Sequence, residues 1–271
     1  LEFMAETSRL LEPLARRSGT APLGLARQAV GKATRVAQVV PEATPFVAAL
    51  WAALTEAERA QATGRREAPP GMVACIRFSS AAAWFRALLD HAVIPLRRDV
   101  YSHASAPVLR GALRIEFDAS PWGGGAVLYR EDSPVEYMAF QWEPDTLNRF
   151  NATVGDPSFQ SLWELTTLFF SVLTWAPQHD HLATLVAGDN MGALTNALRL
   201  KGRGLQSAVA REFAWRKAVL GWNLQYSHLP SELNICADAL SRLWAPTAAV
   251  FPRVLRQVPQ RAAHAQEPAL G

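Results

Sequence analysis

The chain predicts an α/β fold, and three observations carry that expectation. Apolar residues recur at helical spacing through the first third and then switch to alternation at Leu113-Arg114-Ile115-Glu116-Phe117. From that point, period and punctuation spell the element order βββ-α-β-α-α-β-α, a meander followed by helix-separated strands. Four acidic residues are distributed along these elements, in the contexts Phe117-Asp118-Ala119-Ser120, Trp163-Glu164-Leu165, Gly188-Asp189-Asn190 and Ala237-Asp238-Ala239.

The first third reads as helical. Leu1, Glu2 and Phe3 precede Met4 and suggest a cloning remnant or a cut from a longer polyprotein, so residues 1–23 are expected to be disordered. Gly24 to Val40 and Thr44 to Ala62 each predict a helix, with Pro41 and Pro45 breaking them apart. Gly64 to Gly71, with Arg65, Arg66, Pro69 and Pro70, has the composition of a linker. Ser79 to His91 predicts a further helix with a serine cap. Ile94 to Arg110 shows no period and reads as an irregular connector.

At Leu113 the alternation predicts a strand ending in Asp118. Ser120-Pro121-Trp122-Gly123-Gly124-Gly125 follows as a turn, then Ala126 to Tyr129 as the returning strand and Val135 to Gln141 as a third. The glycine run lacks the Gly-Lys-Ser/Thr ending of a phosphate loop, so it is read as turn chemistry. Phe159 to Trp175 is apolar all round at helical length, which predicts a buried helix with Glu164 inside it. Leu182 to Ala187 predicts a core strand that delivers Asp189 at its C-terminal end. Met191 to Leu200 and Gln206 to Leu220 predict helices, Asn223 to Ser227 a strand, and Asn234 to Leu243 a last helix. The tail, residues 245–271, carries no structural signal and is expected to be flexible.

Composition narrows the class. The 271 residues are 49% hydrophobic, enough for one large domain, or for one of about 130 residues with an appendage. Cys75 and Cys236 stand far apart without CxxC spacing, which argues against a disulfide framework or a zinc site and for an intracellular setting, cytoplasm or nucleus. No apolar run approaches the roughly 20 residues of a membrane span, so no membrane partner is expected. Residues 1–110 carry a net charge of +5, residues 111–244 one of −4 and the remainder one of +2. An acidic centre between basic flanks suits bound metal in the centre and a polyanion against the flanks.

The acidic residues have a shared chemical logic. Asp118 and Asp189 at the ends of neighbouring strands project at one sheet edge, Glu164 approaches from the helix packed on that sheet, and Asp238 lies near the positive end of the last helix. Carboxylates converging from different elements hold hard divalent cations through oxygen while leaving positions for a phosphate and a water. Clustered anions repel and raise one another's pKa values, and a pair of divalent cations reverses that. Ser120 and Asn190, polar neighbours of these acids, are candidates for substrate contact or for supporting the acids from behind. His179-Asp180-His181 follows Pro177 in a turn composition and is not favoured as a metal site. Trp51, Trp84, Trp215 and Trp222 read as packing residues rather than a base-stacking platform.

The last predicted elements carry a family resemblance. His228-Leu229-Pro230-Ser231-Glu232-Leu233-Asn234-Ile235-Cys236-Ala237-Asp238-Ala239-Leu240-Ser241-Arg242 resembles the H-x-P-x-x-x-N-x-x-A-D-A-L-S-R ending of ribonuclease H domains in gypsy-type and related retroelement reverse transcriptases, including the ten-residue interval from histidine to aspartate. Asp118, Glu164, Asp189 and Asp238 match that family's four acids in order. Gly31-Lys32 through Val40-Pro41 and Pro45-Phe46-Val47 to Leu50-Trp51 resembles the thumb and connection region of DIRS-like elements, and no Tyr/Phe-x-Asp-Asp polymerase signature occurs.

The resemblance implies a ribonuclease H-like mixed five-stranded sheet, its first three strands antiparallel and helices on both faces, over residues 111–244. A small helical thumb- or connection-like region would precede it over 24–110. It implies hydrolysis of the RNA strand of an RNA/DNA hybrid with two Mg2+ ions, Mn2+ substituting, held by Asp118, Glu164, Asp189 and Asp238. His228, on a mobile loop, would assist protonation or product release. Partners would be the hybrid and the polymerase portion of the same polyprotein or another chain. The 46-residue interval from Asp118 to Glu164 is long for the family and implies an insertion around Leu147 to Phe159. Two other readings stand beside this one: a catalytically silent nucleic-acid-binding or assembly module, and an integrase- or resolvase-like nuclease acting on duplex DNA.

Overall fold

The structure, a computed structural model, describes residues 2–65, 67–90, 113–176 and 184–263. The Ile94 to Arg110 connector lies outside these, as does His179-Asp180-His181. The chain divides into two compact units, Leu1–Val100 with Lys217–Val219, and Tyr101–Arg216 with Leu220–Gly271. Among the described residues no helix is long and apolar enough to cross a membrane.

The first unit contains α1 (Glu2–Leu11), β1 (Thr20–Pro22), α2 (Leu23–Val39), α3 (Thr44–Ala62), β2 (Met72–Ala74) and α4 (Ser79–Asp90). The expected disorder of residues 1–23 is corrected here. Leu11 and Leu14 are fully buried, and β1 pairs antiparallel with β2 through Ala21↔Val73. The helical period of α1 is hard to see because two of its buried positions are hydroxyls. Thr7 donates to the Phe3 carbonyl at 2.7 Å, and Ser8 donates to the Asp90 carboxylate at 2.8 Å. The longer helices follow their apolar spacing, α2 burying Ala26, Ala29, Val30 and Ala33 and α3 burying Phe46, Leu50, Leu54 and Ala57. Pro45 sits in the first turn of α3, where its missing N–H costs nothing. Trp84 stacks on Phe46 at 5.7 Å, but Trp51, expected in the packing, is 45% exposed and donates its indole N–H to Thr34.

The second unit is built on one sheet. Its strands are β3 (Leu113–Ser120), β4 (Gly123–Arg130), β5 (Ser133–Gln141), β6 (Thr184–Gly188) and β7 (Leu224–His228), in the order β5-β4-β3-β6-β7. Its helices are α5 (Pro144–Phe150), α6 (Gln160–Trp175), α7 (Met191–Arg199), α8 (Gln206–Leu220) and α9 (Ile235–Ser241). β3, β4 and β5 are joined antiparallel, while β6 runs parallel to β3 and β7 parallel to β6. This is the expected α/β fold, a mixed five-stranded sheet whose first three strands are antiparallel.

The glycine run is where expectation and structure part. Gly123, Gly124 and Gly125 lie within β4, not in a turn, and the chain reverses in the two residues before them. Successive strand residues face opposite sides. A Cβ on Gly124 would lie 2.6 Å from Thr167 of α6, and one on Gly125 would lie 2.5 Å from Leu240 and 2.7 Å from the Ala237 carbonyl of α9. The two helices therefore cover opposite faces of the sheet at β4, each closer than a side chain would allow. α7 and α8 pack beside α6, the latter through an edge contact of Phe213 on Phe169 at 5.8 Å. The stretch from Thr146 to Pro157, ambiguous in the sequence, holds most of α5, whose Phe150 packs on Trp163.

The tail is also ordered where it is described. Residues 251–261 lie against β5, with a short 3-10 turn at Arg253–Leu255 and Leu255 fully buried. Flexibility was expected because the apolar residues there follow no period, but Phe251, Leu255 and Val258 pack in or against a cluster with Val127, Tyr129 and Leu240.

Candidate metal centre

β3 is the central strand and carries Asp118 as its sixth residue, beyond its last register pair with β6 at Glu116↔Ala187. The carbonyl of Phe117, released from the ladder there, accepts instead from the side-chain amide of Asn234 at 3.0 Å. Asn234 is 1% exposed and stands immediately before α9, so this bond ties the start of that helix to the centre of the sheet. Ser241 ties the other end, its Oγ 2.6 Å from Oδ2 of Asp118.

Asp118, Glu164 and Asp189 come together: one carboxylate oxygen from each lies within 4.8 Å of the others. They arrive from three elements, β3, α6 and the end of β6. Each also has one oxygen held by a neutral donor. Ser241 holds Asp118 at 2.6 Å, Gln160 holds Oε1 of Glu164 at 2.9 Å, and Ser231 holds Oδ2 of Asp189 at 2.7 Å. Neutral donors orient a carboxylate without cancelling its charge. Gln160 uses the same amide nitrogen to reach the Ala119 carbonyl at 2.7 Å, which fixes α6 against β3 beside Asp118.

Burial makes this cluster electrostatically costly. Asp118 is 5% exposed and Glu164 3%. Burial pushes the Asp118 carboxyl up to about 7; the Ser241 hydrogen bond opposes this, the Asp238 and Asp189 carboxylates add to it, and Arg242 opposes it. Burial and then the charge of Asp118 push Glu164 up to about 9, against hydrogen bonds from Gln160 and Asn190. Oε2 of Glu164 is buried and has no hydrogen-bond partner among the described residues. An orphaned buried carboxylate oxygen normally costs free energy. Beside two further carboxylates, it fits a metal cation that takes oxygen ligands.

The remaining expected residues lie around this centre in different states. Asp238, in the first turn of α9, is outside the tight group; it is half-exposed and pairs with Arg242 one turn later at 2.7 Å. His228 is exposed and is the last residue of β7, paired with Gly188, rather than part of a loop. Ser120, expected either at the substrate or in support of the acids, is 3% exposed, and its Oγ is 2.6 Å from the Ser241 carbonyl. Its hydroxyl is directed inward and pins α9 to β3. Asn190 caps α7, accepting from the Ala193 N–H at 2.9 Å, and also lies against the Glu164 carboxyl group.

Four residues join the site without having been singled out from the sequence: Gln160, Ser231, Asn234 and Ser241. The last three lie within the terminal motif. Gln160 stands one helical turn before Glu164, the spacing at which two side chains on a helix meet.

No protein-family model and no curated protein matches this chain. Among solved structures the chain is similar to a foamy viral protease-reverse transcriptase in complex with double-stranded DNA, at 12% identity and a TM-score of 0.31. The match covers 82% of this chain and 35% of that one, so the chain spans about a third of that protein's length.

Proposed function

We propose that the second unit is an endonuclease that hydrolyses the RNA strand of RNA/DNA hybrids with two divalent cations, Mg2+ or Mn2+, as part of a retrotransposon reverse transcriptase. The observation that supports it most is the convergence of Asp118, Glu164 and Asp189 from three elements with a buried, unpartnered oxygen on Glu164. Asp118, Glu164 and Asp189 would hold one ion, and Asp238 with Asp118 the other. When bound, the ions supply an activated water and stabilise the leaving 3′ oxygen.

The chain's own residues do the rest. Ser241, Gln160 and Ser231 keep the three carboxylates aimed at one point, so no reorganisation is needed when substrate arrives. Asn234 and Ser120 hold α9, and with it Asp238, against the strand that carries Asp118. His228 stands exposed at the end of β7, where it would exchange a proton with product. Selection of RNA would rest on 2′-hydroxyl contacts across the shallow minor groove. In this reading residues 24–110 form the thumb- or connection-like part, and the positive balance of residues 1–110 attracts the hybrid's phosphates.

The test is cleavage of a labelled RNA/DNA hybrid by the chain with Mg2+, with EDTA and as Asp118→Asn, beside duplex RNA and duplex DNA. Cutting only of the hybrid's RNA strand, dependent on Mg2+ and lost in Asp118→Asn, is the expected result. Binding without cutting would replace this reading with a silent nucleic-acid-binding module. Cutting of duplex DNA would replace it with an integrase- or resolvase-like activity.

A further inference from the structure

We propose that Phe251–Arg261 is a positioning strap, anchored by Leu255, which holds α9 in place and thereby keeps Asp238 and Ser241 in register with Asp118. The metal-affinity part of this inference rests on the function proposed above; the part that concerns α9 does not.

α9 has seven residues, two turns, and a helix that short is not stable on its own. Its order must come from what it packs against. Asn234 and Ser120 fix its ends to β3, and the absent side chain of Gly125 lets it lie close on β4. Its remaining support is a cluster of Val127, Tyr129, Leu240 and Leu255. Leu240 lies between Asp238 and Ser241 in the chain, and Leu255 is the strap's contribution, fully buried. Phe251 and Val258 close over the same cluster.

Internally the strap has only short hydrogen-bonded turns between Pro252 and Val258. It is attached at both ends instead. Ala249, just before it, donates its N–H to the Arg242 carbonyl at 3.2 Å, and the Phe251 ring meets Tyr137 edge-on at 5.5 Å. At the far end, Tyr137 donates to the Pro259 carbonyl at 3.1 Å and Arg261 donates to the Tyr137 carbonyl at 2.7 Å, a single parallel bridge along β5. The strap thus covers part of the outer strand's open edge while its middle reaches across to α9. The edge strand and the helix that carries Asp238 are thus linked through Leu255, with Phe251 and Val258 beside it.

The experiment uses the full chain with Leu255→Ala, Leu255→Met and, as a control remote from α9, Val209→Ala, which removes a buried side chain from α8. Mn2+ affinity is measured by calorimetry and hydrogen exchange is followed at the amides of Asp238 to Arg242. Leu255→Ala is expected to weaken Mn2+ binding about tenfold, the low end of what losing a ligand's supporting partner does, and to speed exchange across α9. Leu255→Met restores both, and Val209→Ala lowers Tm while leaving both unchanged. Should Leu255→Ala fail to fold, Leu255→Val makes the same test with a smaller cavity. A lowered Tm with wild-type Mn2+ affinity and wild-type exchange at α9 would overturn the strap. If the wild-type chain binds no Mn2+, the metal reading fails and the exchange measurement alone decides the strap.

Discussion

Glu164 and Asp238 sit on opposite faces of one sheet and meet their negative charge in opposite ways. Glu164 is carried by the 16-residue α6, 3% exposed, with one oxygen unpartnered and its carboxyl pushed up to about 9. Asp238 is carried by a seven-residue helix, is half-exposed and already has a cation, Arg242, at 2.7 Å. Burial therefore leaves Glu164 with a need that a metal ion can meet, whereas under the proposed function Asp238 would have to exchange Arg242 for a metal ion. The same chemical group is thus buried and unpartnered on one face and exposed and ion-paired on the other.

The largest expected break of this contrast is Glu164→Gln. It removes the carboxylate that an ion would recruit at the buried half, so Mn2+ affinity measured by calorimetry should fall at least about 100-fold, beyond the usual loss from removing a ligand's outer partner. Asp238→Asn should spare the first ion and remove the second. Equal loss of the first ion in both variants would erase the distinction between the faces.

Gly125→Ala attacks the α9 side without touching a carboxylate. Its Cβ would fall 2.7 Å from the Ser241 amide nitrogen and 2.5 Å from Leu240. Such overpacking should cost about 1–3 kcal/mol in denaturant unfolding and displace α9. An unchanged unfolding midpoint would mean that the helix has more room than its contacts suggest.

pH probes the buried carboxylates. Asp118 and Glu164 have folded values raised to about 7 and about 9, against about 4 in the unfolded chain. Between about pH 5 and 9 the native state therefore holds protons that the unfolded state has released, so stability without metal should fall as pH rises. Denaturant unfolding across that range should show the decline, and it should be shallower with Mg2+ and in Glu164→Gln. A metal-free protein that gains stability towards pH 9 would contradict the site's electrostatics.

The smallest effect belongs to Arg242→Gln. Its pair with Asp238 is exposed, and such pairs contribute little. Releasing Asp238 should raise the second ion's affinity about twofold to fivefold.

Much of this was legible in the sequence, for reasons that can be named. α3 and α8 were expected with the bounds they have, because proline, glycine and apolar period agree at their ends. Asp118, Glu164, Asp189 and Asp238 were expected to converge; the first three do, and Asp238 stands outside the group, paired with Arg242. What escaped was of three kinds. Gly123-Gly124-Gly125 has turn composition but forms a strand, since close helix approach and tight turns both select glycine. α1 hides its period behind Thr7 and Ser8, buried through hydrogen bonds. Ser120 and the tail take their roles from long-range contacts with Ser241, Tyr137 and Leu240, which no local pattern announces.

The most direct test is to titrate the metal-free chain with Mn2+ near pH 8 in buffers of differing ionisation enthalpy, which counts protons as well as ions. A Glu164 carboxyl raised to about 9 must lose its proton to become a ligand. Binding with proton release, abolished in Glu164→Gln, is the predicted result; no binding, or binding without proton release that survives Glu164→Gln, would contradict a metal centre built on Asp118, Glu164 and Asp189.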